Sequence, residues 1–298
     1  TATPTAPGTP VATHDAVVRP VAPVQLSIGL GKLTASARLR VKVVDADVNP
    51  ALGSNDLVQL KANDGTCPSG TVVGIPDFDL HAPGAQDTVI LSGGRQRIAS
   101  VNIVAATAAF TAFNHVAPQR CHIVLSAQSI ISGNVDPNPS NNVFPVEISV
   151  LDANDPEETP VHETFMSSVR PALVRINHGQ ASGAAHVTIG AGNADLTDPD
   201  GHADMVNGAV GGCPPGILGT TNFGSAALGP PNTVAVPAGS IRYGKLTVTA
   251  NAADFHSPSI RSPARCVAMV TTTGPTGDTD ATNNSSMLVV DVVDHNDF

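Results

Sequence analysis

The chain has 298 residues, of which 13% are charged, and its formal net charge is −10. A surface this acidic repels phosphate backbones, so the composition argues against nucleic acid as a partner. No run of eighteen apolar residues occurs, and the sequence therefore predicts no membrane-spanning segment. Glycine and proline are abundant, with 27 and 25 residues, which favours short strands joined by turns over helices.

The chain opens on a stretch rich in proline and threonine. Because the first residue is Thr1 rather than Met, and no signal peptide is recognisable, we expect a processed, extracellular product. Residues 1–17 form an arm that prefers extended conformations. Two interpretations stay open for this arm: a flexible leader, or a strand that docks on an open sheet edge.

Strand patterns follow the arm. Between residues 33 and 43 apolar side chains alternate with Arg38, Arg40 and Lys42, which is typical of a strand with one buried face. Similar alternation occurs at 101–105, 121–125, 144–150, 185–189, 246–250, 266–270 and 288–292. Regular strands with Gly/Pro turns and no helical periodicity predict an all-β fold made of antiparallel sandwiches with about seven strands each.

The strongest signal is an internal duplication. The matching segments are Val18–Pro20 with Val169–Pro171, Cys67–Gly70 with Cys213–Gly216, Ala117–Cys121 with Ser262–Cys266, Asp136–Asn142 with Asp278–Asn284, and Asp152–Asp155 with Asp294–Asp297. Because these segments match in the same order, the sequence predicts two tandem Ig-like antiparallel β-sandwich domains. We assign the arm to 1–17, the first sandwich to 18–152, an acidic linker to 153–164 and the second sandwich to 165–298.

The four cysteines are divided equally between the two copies. Cys67 and Cys121 are 54 residues apart, and Cys213 and Cys266 are 53 residues apart. This duplicated spacing predicts one disulfide within each copy rather than a bond between copies. Disulfides persist in oxidising compartments, which again indicates an extracellular protein.

Two family resemblances follow from these motifs. The turn from Asp136 to Asn142 with its closing strand resembles bacterial cell-adhesion-related domains of the CARDB type and similar surface Ig-like repeats. Val150–Asp155 looks like the calcium-binding linker of cadherins, and Val43–Asp47 looks like the cadherin Asp-x-Asp loop. The likeness is incomplete, since the linker has Pro156 where cadherins have Asn and the second copy lacks Asp-Ala-Asp. These resemblances imply an adhesive role and bound calcium.

Acidic clusters are the candidate ligand sites of the sequence. Carboxylate and Asn oxygens at alternating positions suit calcium. The predicted calcium site at the domain junction consists of Asp152, Asn154, Asp155, Asp195, Asp198 and Asp200. The alternative is that Asp, Asn and Gly simply form turns at these places. We expect no other cofactor.

Motifs for chemistry are lacking. No His pair has metal-ligand spacing, and neither a phosphate-binding loop nor a nucleophile elbow occurs, so we expect no enzymatic activity. The predicted function is that of an extracellular structural or adhesive subunit, such as a spacer or a fibre or surface-layer component, acting through protein–protein contacts. The alternative is a secreted glycan- or ligand-binding module. The absence of Trp and the single Tyr disfavour it, because sugars usually stack on such rings.

The C-terminal motif suggests how copies of the chain would assemble. Asp294–Asp297 repeats the junction motif, but no domain follows it in this sequence. Its partner would be His14–Pro20 of a neighbouring copy, because that segment matches the one that follows the first junction. The sequence therefore predicts head-to-tail self-assembly into a fibre. The alternative is a duplicated motif that is simply left exposed.

Overall fold

Strands make up almost all of the regular structure in the computed structural model. The residues that the structure describes are 14–47, 55–110, 117–130, 136–154, 163–195, 202–209 (backbone alone), 211–228, 232–274, 278 and 280–297. Single 3₁₀ turns occur at Asp79–His81, Pro139–Asn141, Gly224–Ala226 and Ala252–Asp254. Within these ranges no helix has the length and apolar character needed to cross a membrane.

Domain one is a sandwich of a four-stranded and a five-stranded sheet. Its strands are β1 (Ala16–Val18), β2 (Val24–Ile28), β3 (Thr34–Asp45), β4 (Asp56–Asn63), β5 (Val72–Asp77), β6 (Thr88–Leu91), β7 (Gln96–Ala106), β8 (Gln119–Ser129) and β9 (Val143–Asp152). The sheet orders are β1-β3-β7-β5 and β2-β9-β8-β4-β6. All neighbours are antiparallel except β2 and β9, which run parallel.

Domain two repeats this architecture. Its strands are β10 (Thr164–Met166), β11 (Ala172–Ile176), β12 (Ser182–Asn193), β13 (His202–Ala209), β14 (Leu218–Asn222), β15 (Thr233–Val236), β16 (Ser240–Asn251), β17 (Ala264–Thr273) and β18 (Ser285–Asp294). The sheet orders, β10-β12-β16-β14 and β11-β18-β17-β13-β15, match those of domain one. The parallel pair is again present, as β11 with β18.

The all-β prediction of two tandem Ig-like sandwiches is confirmed. Each domain has nine strands among the described residues, rather than about seven. One reason is that Pro20 and Pro23 interrupt the first strand of domain one, since proline lacks an N–H for the sheet ladder. β1 therefore joins one sheet and β2 the other.

Each domain encloses its own aliphatic core. Alternating apolar side chains of facing strands fill it, and Phe78 and Phe144 are the largest fully buried side chains in domain one. Val289 of domain two is buried together with the core residues of domain one. The two cores are therefore joined at the contact between the domains.

Both predicted disulfides are present in the structure. Cys67 is bonded to Cys121, and Cys213 to Cys266. Each bond ties the loop after the fourth strand of its domain to the eighth strand, and closing a loop of this length contributes about 4 kcal/mol in the chain-entropy model. Beside the first bond, Gly65 has a φ of +56°, and a Cβ there would lie 2.3 Å from the carbonyl oxygen of His122. This close approach requires glycine.

The domain boundaries differ from those predicted. β1 pairs with β3, and His14 and Asp15 before it are buried, so domain one includes residues that we had assigned to the arm. A three-residue strand is too short for its alternation to stand out from the Pro/Thr-rich sequence. At the other end, the Ala153 amide donates a hydrogen bond to the Ile28 carbonyl, so the linker begins later than residue 153. Residues 1–13 and 155–162 lie outside the described residues.

Candidate functional sites

Arg265 is the centre of the joint between the domains. Its side chain is buried and forms a two-pronged ion pair with Asp291 of its own domain, at 2.7 and 3.0 Å. The same guanidinium donates to the carbonyls of Asn141, Val143 and Val18 in domain one, at 3.0, 3.1 and 2.8 Å. Charge-assisted bonds of this kind are among the stronger ones in proteins.

Arg120 makes the reciprocal contact from domain one. It occupies the place of Arg265 in the repeat, and it donates to the carbonyls of Asn283 and Ser285, at 3.4 and 3.0 Å. Those residues are the counterparts of Asn141 and Val143. The joint therefore has an approximate twofold symmetry within one chain, and it fixes the two sandwiches against each other.

A groove of about 810 Å³ opens beside this joint. Ser149 and Ser168 line it and are hydrogen-bonded to each other through their hydroxyl groups, 2.9 Å apart. Phe165 and Arg170 also line it, together with Tyr243, the only tyrosine, which is 62% exposed. The volume lies within the range of small-ligand pockets.

The acidic motif at the end of domain one clasps a turn of the same domain. Asp152 Oδ1 accepts the Asn154 amide at 2.8 Å. Asn154 Oδ1 accepts the Gly31 amide at 2.6 Å, and Asn154 Nδ2 donates to the Lys32 carbonyl at 2.9 Å. The motif therefore holds the turn between β2 and β3.

Domain two has the same clasp. Asn296 accepts the Gly179 amide at 2.7 Å and donates to the Gln180 carbonyl at 2.9 Å, while Asp294 accepts the Asn296 amide. The C-terminal motif is therefore used as a clasp within its own domain. The segment that we predicted as its partner, beginning at His14, is built into domain one.

The structure divides the predicted calcium set. Asp152 and Asn154 form the clasp, whereas Asp195 accepts the Glu163 amide at 2.6 Å. The described members thus have the turn-forming role that was the alternative. The remaining three, Asp155, Asp198 and Asp200, lie outside the described residues, so calcium at the junction stays a prediction.

A different set of ligand-type side chains comes together in domain one. We call His14, Asp15, Asp45, Asp47 and Asp56 the acidic pocket; they lie before β1, at the end of β3 and at the start of β4, and none is more than 4% exposed. His14 Nδ1 is hydrogen-bonded to Asp56 Oδ1 and lies 3.8 Å from Asp47 Oδ2. The amides of Asp15 and Asp47 donate to Asp47 Oδ1 and Asp45 Oδ1, at 3.1 and 3.0 Å.

Burial has a strong effect on these carboxyl groups. Loss of hydration raises the pKa of Asp15 to about 7 and the pKa of Asp45 to about 7. It also raises the pKa of Asp56 to about 6, although the hydrogen bond with His14 opposes this, and it raises the pKa of Asp47. Buried carboxylates without compensating charge behave in this way. The acidic pocket therefore favours a positive charge, either a proton or a cation.

The same turn in domain two has the same backbone hydrogen bonds but different side chains. The Glu163 amide donates to Asp195 and the Asp195 amide donates to Asn193, so the backbone geometry matches that of domain one. Asn193 replaces Asp45, and its Nδ2 donates to the Val236 carbonyl at 2.9 Å. The carboxylate of domain one has become a neutral donor.

Glu163 is the second difference at this turn. It replaces Asp15 and is one methylene longer. Its two oxygens accept the Asn283 side-chain amide at 2.7 Å and the Asp280 backbone amide at 3.1 Å. Both of its oxygens therefore have donors, which is the usual state of a buried carboxylate.

Sequence analysis identified only part of the acidic pocket and of the joint. It singled out Asp45 and Asp47 through the cadherin-like loop, but it missed Asp56. His14 and His162 occupy matching positions of the repeat, and this was the available signal that the position has a role. The two arginines of the joint appeared only as part of a repeated segment.

Comparison with known proteins gives a likeness of fold at low identity. No protein-family model matches the chain, and no curated protein matches it. One solved structure that resembles it is the CupB6 tip adhesin from Pseudomonas aeruginosa. The sequences are 7% identical, the match covers 96% of this chain and 99% of that chain, and the TM-score is 0.26. A chain from the CsuC–CsuE chaperone–tip adhesion subunit complex of Acinetobacter baumannii has 9% identity, coverage of 93% and 99%, and a TM-score of 0.25.

Cadherin-like domains also appear among the similar structures. The zebrafish RET cadherin-like domains 1 to 4 have 8% identity, with 95% of this chain and 52% of that chain covered, and a TM-score of 0.22. At TM-scores this low, none of these likenesses carries an argument about function. We therefore argue function from the residues.

Proposed function

We propose that this protein is a non-enzymatic, extracellular structural or adhesive subunit that acts through protein–protein contacts, with strand β5 as a contact surface. Among the described residues, β5 is the outermost strand of its sheet, so one row of its backbone N–H and C=O groups has no neighbouring strand there. Val73 and Ile75 on this strand are 45% and 55% exposed. An exposed apolar edge suits the addition of a strand from a partner subunit.

The equivalent edge in domain two has a different character. β14 is also outermost in its sheet, but it carries the exposed residues Gly219 and Thr220 where β5 has Val73 and Ile75. The register of β5 against β7 shifts between Val73 and Asp77, so the apolar segment bulges at the edge. This apolar edge, present in one domain and absent from the other, is the observation that carries the proposal.

Two further features support an adhesive role. Disulfides in both domains fit a protein that works in an oxidising, extracellular environment. The arginine joint holds the domains in one arrangement, so the chain can keep its partners at a fixed separation. Membership of the CARDB type, suggested by the turn from Asp136 to Asn142, is in keeping with this role and stays a hypothesis.

Self-association tests the proposal first, because a second copy offers the same edge. Two β5 strands related by a twofold axis would pair and extend the four-stranded sheet. We expect sedimentation velocity over a concentration series to show dimers of the full chain. Ile75→Lys should abolish them, since a charged residue on an edge strand prevents pairing. Thr220→Lys on β14 is the matched control and should leave them intact.

The products of association also separate two modes of assembly. A twofold β5 contact closes at the dimer, whereas the predicted head-to-tail contact would give a series of growing species. A chain that stays monomeric at the highest concentration would contradict self-association through β5. Dimers that are equally sensitive to both lysine substitutions would contradict the assignment of the contact to domain one.

Ligand binding in the groove is the second candidate function. Tyr243 is exposed there beside the hydroxyl groups of Ser149 and Ser168, and a flat ring with nearby polar groups suits a sugar. Binding of a glycan in an array, lost in Tyr243→Ala and retained in Ile75→Lys, would favour this function over the first.

A further inference from the structure

Four carboxyl groups of the acidic pocket are incompletely satisfied. One oxygen each of Asp15, Asp45, Asp47 and Asp56 is buried and makes no hydrogen bond to any described residue. No lysine or arginine lies within ion-pair distance of them in the described part of the chain. His14 pairs with Asp47 and Asp56, and Arg19 acts on Asp15 through a longer-range electrostatic interaction. Buried carboxylate oxygens of this kind normally have donors or a bound cation.

Three side chains of the acidic pocket bring ligand-type atoms close together. The ligand atoms of His14, Asp47 and Asp56 all lie within 4.8 Å of one another. The backbone amide of Asp15 holds Asp47 Oδ1, so Asp47 Oδ2 is directed towards the imidazole. This fixed orientation is what outer-sphere hydrogen bonds provide in metal sites.

We propose that the acidic pocket binds one divalent cation of the class that accepts an imidazole nitrogen together with carboxylate oxygens, with Zn²⁺ as its representative. The ligands are His14 Nδ1 and one oxygen each of Asp47 and Asp56. Ligand atoms around a tetrahedral zinc ion lie roughly 3.4 Å apart. His14 Nδ1 lies 3.8 Å from Asp47 Oδ2, and the ion would take the place of the hydrogen bond between His14 and Asp56. Calcium coordinates oxygen almost without exception, so a buried imidazole in the set disfavours it.

The counterpart in domain two supports this assignment. There the same backbone turn exists, but Asn193 replaces one carboxylate and both oxygens of Glu163 accept protein donors. The turn in domain two keeps the carboxylates of Glu163 and Asp195, but it folds with an amide in place of Asp45. In domain one, Asp45 instead has one buried oxygen without a hydrogen bond to any described residue.

A bound cation would tie three segments together. His14 precedes β1, Asp47 follows β3 and Asp56 begins β4. β1 has only three residues and lies at the edge of its sheet, so a metal at its start would prevent it from separating. This inference is independent of the proposed function, because it does not involve the β5 edge.

Metal binding by the full chain tests the proposal. The protein is prepared without a polyhistidine tag, treated with EDTA and dialysed into metal-free buffer. Isothermal titration with ZnCl₂ should then give one site per chain, with weaker binding of CaCl₂, and zinc should raise the melting temperature by several degrees. Co²⁺ in place of zinc should give the visible absorption bands of a nitrogen-bound, four-coordinate ion.

Variants assign the site. Asp47→Asn keeps the oxygen that accepts the Asp15 amide but loses the charge, and it should weaken zinc binding on the order of 100-fold, as should His14→Gln. Asp195→Asn makes the same change at the equivalent turn of domain two and should leave binding unchanged. Circular dichroism confirms that each variant is folded, and Asp56→Asn replaces any variant that is not.

Three outcomes would overturn the proposal. The first is the absence of stoichiometric zinc binding, which would mean that protons alone neutralise the acidic pocket. The second is binding that survives both Asp47→Asn and Asp56→Asn. The third is a preference for calcium over zinc, which would contradict the imidazole as a ligand.

Discussion

Asp45 in domain one and Asn193 in domain two occupy the same turn, and they are satisfied in opposite ways. The Asn193 side chain uses both of its polar atoms: Oδ1 accepts the Asp195 amide, and Nδ2 donates to the Val236 carbonyl. Asp45 accepts the Asp47 amide but leaves its other oxygen without a donor among the described residues. A backbone geometry retained by both repeats thus accommodates a carboxylate at this position in domain one and an amide in domain two. The duplication preserved the fold while the side-chain chemistry diverged.

The joint shows a similar divergence between equivalent residues. Arg265 has a buried carboxylate partner, Asp291, and lies 4.8 Å from the ring centre of Phe144. Arg120 lies 3.8 Å from the nearest oxygen of Glu147, whose other oxygen accepts two bonds from domain two. The approximate twofold symmetry of the backbone contacts therefore does not extend to the charges.

Removing each arginine in turn should break the symmetry of the joint. Arg265→Gln leaves Asp291 as an unpaired buried charge, so we expect a loss of about 3–5 kcal/mol in the free energy of unfolding. Arg120→Gln should cost less, because Glu147 retains its donors from domain two. Urea unfolding of both variants measures the difference. Equal losses would show that the two halves of the joint are energetically equivalent.

Giving each domain the turn residue of the other, by Asn193→Asp and Asp45→Asn, should change the stability of the protein in opposite directions. Asn193→Asp removes the donor to the Val236 carbonyl and buries a carboxylate, and it should destabilise the protein by about 2 kcal/mol. Asp45→Asn removes a buried charge and introduces at this position the side chain that domain two has. We expect it to stabilise the cation-free protein by about 1 kcal/mol.

Thermal unfolding at pH 8 in buffer containing EDTA measures both changes. The test is that Asn193→Asp lowers the melting temperature, whereas Asp45→Asn raises it. Destabilisation by Asp45→Asn under these conditions would mean that the acidic pocket is already compensated without a metal.

The smallest expected effect concerns His122, whose counterpart in domain two is Val267. Burial lowers the pKa of His122, so the unfolded chain binds a proton more readily than the folded chain does. Stability from this source is present above the ordinary histidine pKa of about 6.5 and decreases as the pH falls below it. His122→Val should remove this dependence. We expect the difference in melting temperature between wild type and variant to change between pH 8 and pH 5; a constant difference would contradict the prediction.

Much of the fold could be predicted because its signals are local. Alternation marked the longer strands, and the duplicated spacing of Cys67 and Cys121 identified both disulfides. The parallel pairing of β2 with β9 could not be predicted, because alternation indicates which face of a strand is buried but not which strand lies beside it. The first two residues of the short strand β1 were assigned to the arm, because three residues carry too little pattern.

The acidic pocket and the two clasps are formed by residues that are distant in the sequence. The sequence therefore indicated only some of the residues of each. Asp45 and Asp47 are close in sequence and were recognised as a pair of potential ligands. Asp56 and His14 reach them only after β1, β3 and β4 have been brought together by the sandwich. The repeated Asp-x-Asn motif, at Asp152 for example, was correctly recognised as repeated, but its role in holding a turn required knowledge of where that turn lies.

The parallel pairs determine how each domain would respond to tension along the chain. In domain one, β2 lies near the N-terminal end and β9 at the C-terminal end, and they run side by side in the same direction over Val24–Ile28. A pull on the two ends would slide these strands past each other and load their hydrogen bonds together. An antiparallel terminal hairpin would instead open one bond at a time. Forced unfolding is governed by the rate of the unfolding step, and this arrangement places a cooperative shear barrier in each domain.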